Sequence, residues 1–74
     1  MPYIHVRVTD EDVTREQKAA IIAGATQLMV DILGKQPATT HVVIEEVPLE
    51  NWGVGGLPVE EYRARMHAGE TTRE

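Results

Sequence analysis

The chain has 74 residues, 42% of them hydrophobic, with 12 acidic and 7 basic side chains and a net charge of −5. This composition excludes a disordered or low-complexity chain, and the acidic balance argues against nucleic acid, whose phosphates need a basic surface. Without Cys there can be no disulfide, thiolate nucleophile or cysteine zinc site.

From the N-terminus, Ile4, Val6 and Val8 alternate with Tyr3, His5 and Arg7, the pattern of a strand with one apolar face. A polar connection, Thr9 to Val13, follows. Thr14-Arg15-Glu16-Gln17 fits a capping box, in which hydroxyl and amide side chains satisfy two orphan backbone N–H groups. Behind it, Ala19, Ile21, Ile22, Ala25, Leu28, Met29, Ile32 and Leu33 recur every three or four residues, the stripe of one amphipathic helix. Gly34 is placed to stop it, with Pro37 beyond. Residues 40–47, rich in β-branched side chains, predict a second strand that Pro48 ends. Strand, helix and strand make a β-α-β unit with parallel strands. Asn51 to Gly56 predicts a short hairpin around the glycines. Val59, Tyr62 and Met66 predict a short helix with Pro58 in its first turn, and a flexible tail follows from about 67.

The expected fold class is α/β, one domain spanning 1–74. A chain this short buries only about 60% of its unfolded surface. With neither disulfide nor metal as a staple, it is expected to gain stability by oligomerisation. No apolar run reaches the roughly 18 residues of a membrane span. The start, Met-Pro-Tyr-Ile-His-Val-Arg, lacks the pattern of a secretion signal, so the expected location is cytoplasmic.

Pro2 carries the most chemistry. Removal of Met1 exposes a secondary amine, a nucleophile toward carbonyls and a capable base when neutral. Burial beside apolar walls or near a cation favours the neutral form. Met-Pro followed by a strand, Glu16-Gln17-Lys18 in the first helical turn, Pro37-Ala38-Thr39-Thr40 before the second strand, and Trp52-Gly53-Val54-Gly55-Gly56 stand in order along residues 2–65. In that arrangement the chain resembles the 4-oxalocrotonate tautomerase family. The resemblance implies a β-α-β protomer that pairs into a four-stranded sheet, commonly in a hexamer built as a trimer of dimers. It implies a cofactor-independent tautomerase or isomerase acting on small 2-oxo or enol acids, with Pro2 as general base. Related families use the proline in dehalogenases, decarboxylases or hydratases, and a catalytically silent oligomeric binding module is the alternative from another class.

Trp52 falls where the founding enzyme places a Phe against its active site, and a large aromatic there would exclude water. The founder also grips a dicarboxylate with two arginines. Here those positions fall on His41 and Val13, so the resemblance does not carry the grip over. Arg15 and Arg7 are the candidate substitutes, and His41 is a candidate donor to the substrate's oxygen. The plain alternatives are a solvated helix residue for Arg15, an ion-paired strand residue for Arg7 and a satisfied polar residue for His41. His5, His41 and His67 lack metal-ligand spacing. Glu45 and Glu46, adjacent on a strand, should point to opposite faces and so cannot form an acid/base pair.

Overall fold

The computed structural model describes residues 1–67. Strand β1 (Tyr3–Thr9) leads to helix α1 (Arg15–Leu33) and then to strand β2 (His41–Val47). A hairpin of two short strands, β3 (Gly53–Val54) and β4 (Leu57–Pro58), precedes helix α2 (Val59–His67). Of the tail expected from 67, His67 ends α2 and the rest lies outside the described residues.

The caps of α1 form as the sequence predicts. The Thr14 hydroxyl accepts from the Gln17 N–H at 3.1 Å, and the Thr14 N–H donates to the Gln17 side-chain oxygen at 2.8 Å. At the other end Gly34 takes φ 65°, a left-handed conformation that costs a glycine least. Its N–H closes on the Val30 carbonyl at 3.0 Å. The chain then makes a 3-10 turn at Pro37–Thr39, with the Thr40 hydroxyl on the Gln36 carbonyl, before β2 begins.

Strands β1 and β2 pair in parallel with no bulge, from Tyr3 opposite His41 to Thr9 opposite Val47. Ile4, Val6, Val8, Val42 and Ile44 form the half-buried face beneath α1. Glu46 shares that face and is held by the Lys18 ammonium of α1. The opposite face, Tyr3, His5, Arg7, His41, Val43 and Glu45, is exposed. A parallel sheet ordinarily has cover on both faces.

The predicted stripe of α1 divides in two. Ile21, Ala25 and Met29, with Thr26 and Val30, are half-buried. Ile22, Leu28, Ile32 and Leu33 are exposed, Ile32 at 69%. One helix on two strands has too little surface to cover the whole stripe. Among the described residues Val59 is the only buried hydrophobic side chain, and none is fully buried. The surface of the chain is 5662 Å², above the roughly 4500 Å² expected of a compact monomer of this mass. The excess, roughly 1200 Å², is larger than the roughly 800 Å² that one partner commits to a standard protein interface.

Pro58, expected in the first turn of α2, instead pairs with Gly53 as the last residue of β4. The two residues between β3 and β4 are Gly55 and Gly56, at φ 60° and 86°. Positive φ at both positions is what a tight two-residue hairpin turn demands.

Candidate active site

The parallel sheet separates the predicted site residues into two groups. At one end, Pro2 is half-buried and leads into β1. Its carbonyl accepts the His41 N–H at 3.0 Å. That bond and the strand register set His41 beside the start of the chain.

The other end lies about 20 Å away along β2, at roughly 3.3 Å per residue from His41 to Val47. There the Asp10 N–H donates to the Val47 carbonyl at 2.8 Å. Beyond Val47 come Pro48, a 3-10 turn at Leu49–Asn51, and Trp52. Trp52 is half-buried and fixed by its backbone: its N–H donates to the Leu49 carbonyl at 3.1 Å, and its carbonyl accepts from Val59 at 2.8 Å. Arg15 opens α1 at this same end, directly after the Thr14 cap, and is exposed. Arg7 stands toward this end on the exposed sheet face. One chain therefore brings Pro2 and His41 together and keeps Arg7, Arg15 and Trp52 away from them. The described residues of a single chain enclose no pocket.

Carboxylates hold most of the cations near the far end. One Glu45 oxygen accepts from Arg7 Nε and lies equally close to His5 Nε2, both at 3.0 Å. Glu46 turns to the other face and meets Lys18. The two adjacent glutamates thus point to opposite faces, as strand alternation requires. Glu11, in the loop between β1 and α1, accepts a fork from Arg63 of α2, with Nη1 and Nη2 at 2.7 and 3.0 Å. The Thr9 hydroxyl donates to the same carboxylate. The hydrogen bonds from Arg63, and then from Thr9, hold the Glu11 carboxyl down at about 2, and the same contact raises Arg63. Next to Glu11, Asp12 takes φ 65°, a conformation that Asp and Asn adopt more readily than most residues.

Sequence reasoning missed the pairing of Glu11 with Arg63. The two residues are 52 positions apart, so no local spacing connects them. The only hint was the acidic run Asp10-Glu11-Asp12, which invites a cation.

The chain matches the tautomerase enzyme family over residues 2–62. It is 57% identical to the probable tautomerase K2 of Dickeya dadantii, over 85% of this chain and 94% of that one. It is 38% identical to the 2-hydroxymuconate tautomerase of Pseudomonas putida, over 82% and 95% of the two chains. The crystal structure of DmpI from Helicobacter pylori superposes with a TM-score of 0.80 at 38% identity, covering 85% of this chain and 97% of that one. The same β-α-β layout with a C-terminal hairpin and a sequence match starting at Pro2 place this chain in the tautomerase enzyme family.

Proposed function

We propose that the chain is a cofactor-independent cytoplasmic isomerase that moves a proton within small 2-oxo or enol acids, with Pro2 as the base. The observation that carries this reading is the position of Pro2. The family match begins there, and the His41 N–H anchors the proline carbonyl, so removal of Met1 leaves a secondary amine at a fixed point on the sheet.

The neutral proline nitrogen takes the proton of the enol hydroxyl. The electron pair left behind forms the carbonyl, the conjugated double bond shifts, and the far carbon takes the proton back from the prolinium. No atom is gained or lost. Charge develops on the substrate oxygen during transfer, so a donor is required beside it, and His41 is the nearest candidate in the same chain.

The remaining candidates must come from a second copy. A two-fold axis perpendicular to the strands places the proline end of one chain against the far end of another, where Trp52 and Arg15 lie. Such pairing of β-α-β units into a four-stranded sheet also covers exposed apolar side chains of α1. The uncovered sheet face favours closure of several such dimers, as in a hexamer built as a trimer of dimers. Trp52 from the neighbour excludes water and keeps the amine neutral. Arg7, already committed to Glu45, contributes to the sheet more than to the substrate.

The test begins with intact mass spectrometry of the purified protein, which should show Met1 removed. Ketonisation of a 2-hydroxydienoate should then follow an ascending pH limb belonging to the proline amine. Protein that retains Met1, or turnover unchanged in Pro2→Ala, contradicts the reading.

A further inference from the structure

Trp52 and α2 are joined by short contacts. The Trp52 carbonyl accepts the Val59 N–H at 2.8 Å, and Val59, the first residue of α2, is 5% exposed. The Tyr62 ring lies over the hairpin turn, 3.8 Å from where a Cβ on Gly55 would stand. Trp52, the hairpin and α2 thus form one unit. A helix of nine residues held at its first turn has a pivot there, and Arg63, one turn beyond Val59, supplies a second fixed point. Its Nη1 and Nη2 fork onto the two oxygens of Glu11 at 2.7 and 3.0 Å. Glu11 is itself held. The Thr9 hydroxyl donates to it, and its neighbour Asp10 donates its N–H to the Val47 carbonyl at 2.8 Å. From Val47 the chain returns through Leu49 to Trp52, whose N–H bonds the Leu49 carbonyl at 3.1 Å, so the links close a circuit. The family match ends at residue 62, one short of Arg63. With side chains 47% and 40% exposed, the Arg63–Glu11 pair adds little to stability. A bidentate fork nonetheless fixes orientation as well as distance.

We propose that Arg63 is a positioning residue: through Glu11 it locks α2, and with it Trp52, to the end of the sheet. This inference rests on the reading above that Trp52 walls the proline site of a neighbouring chain. A fixed indole there keeps water from the Pro2 amine. A pivoting one admits water, which favours the charged amine over the neutral base.

Two arms test it on the oligomer, checked by size-exclusion chromatography. The first needs no substrate, because Trp52 is the one tryptophan of the chain and its fluorescence is read directly. Arg63→Met keeps the apolar stem and removes the fork. Its Trp52 emission should shift to the red, and quenching by acrylamide should rise. Glu11→Ala should do the same, and the double variant no more than either, since all three break one link. Arg63→Lys keeps a charge without the fork and should give a smaller change of the same sign, whether or not Arg63→Met holds its assembly. The second arm follows kcat/KM for a 2-hydroxydienoate against pH. Arg63→Met should move the ascending limb to higher pH by about half a unit or more, because wetting favours the protonated amine. Glu11, held at about 2, stays ionised throughout that range, so the limb is not its own. A mere loss of folded protein would lower the rate at every pH and leave the limb in place. If no dienoate turns over, the isomerase reading fails and the fluorescence arm alone decides the inference. Unchanged Trp52 fluorescence in the Arg63 and Glu11 variants overturns it. So do additive effects in the double variant, or a limb that stays in place while Trp52 is loosened.

Discussion

The two ends of the β1–β2 sheet are built by different means. The proline end is held by backbone: the Pro2 carbonyl on His41, the 3-10 turn at Pro37–Thr39 and the left-handed Gly34. The far end has backbone bonds as well, Asp10 to Val47 and Trp52 to Leu49 and Val59, and adds side-chain ones: the capping box of Thr14 and Gln17, the fork of Arg63 on Glu11 and the pair of Lys18 with Glu46. Backbone anchoring leaves the proline end almost without ionic partners and suits it to place one reactive nitrogen. Side-chain anchoring at the far end consumes cations, so few remain for a ligand. A site that needs both ends must therefore draw on two chains.

The comparison can be broken most severely at Pro2. Pro2→Ala should lower kcat by about 10²- to 10⁴-fold, the usual value of a positioned base, with the oligomer intact by size-exclusion chromatography. The two caps of α1 come next. Gly34→Ala meets no atom within 4 Å, so its cost is conformational, about 1–2 kcal/mol for a left-handed alanine. Thr14→Ala removes a hydroxyl acceptor and should cost about 1 kcal/mol. Both are read by chemical denaturation at fixed protomer concentration. Thr14→Ala should also raise KM, because Arg15 follows the cap directly, and Gly34→Ala should not.

The smallest effect is expected at Glu11. Its carboxyl is held at about 2 against an ordinary 4.5, so it binds fewer protons when folded. Its contribution to stability is then complete above about 4.5 and is lost as pH falls through about 2. Both partners are substantially exposed, so the effect is screened by solvent and salt. Glu11→Gln should flatten the loss of melting temperature across that acid window and leave the neutral range little changed.

Local signals made most of the fold legible. The capping box and Gly34 set the ends of α1 to the residue, because each works through bonds within a few positions. Alternation identified β1 and its faces. Pro58 was misplaced because a proline fits both a helix start and a short edge strand, and only the pairing with Gly53 decides. Which part of the α1 stripe is covered cannot be read from periodicity, since the sheet beneath is only two strands wide. In the candidate site, Pro2 and its neighbour His41 follow from a parallel β-α-β register. The separation of Arg15 and Trp52 from them follows from the same register, once strand length is counted. The pairing of Glu11 with Arg63 had no such route, because it joins a loop to a helix at the other end of the sequence.

The central claim, one site from two chains, is tested most directly by mixing inactive variants. Pro2→Ala and Arg15→Ala protomers are each purified, mixed in equal amounts, dissociated and reassembled, and assayed on a 2-hydroxydienoate. If Pro2 and Arg15 of different chains share a site, random mixing restores both groups to about a quarter of the sites, and activity should rise toward that fraction of wild type. Activity that stays at the average of the two separate variants would place both residues in the same chain's site and contradict the account.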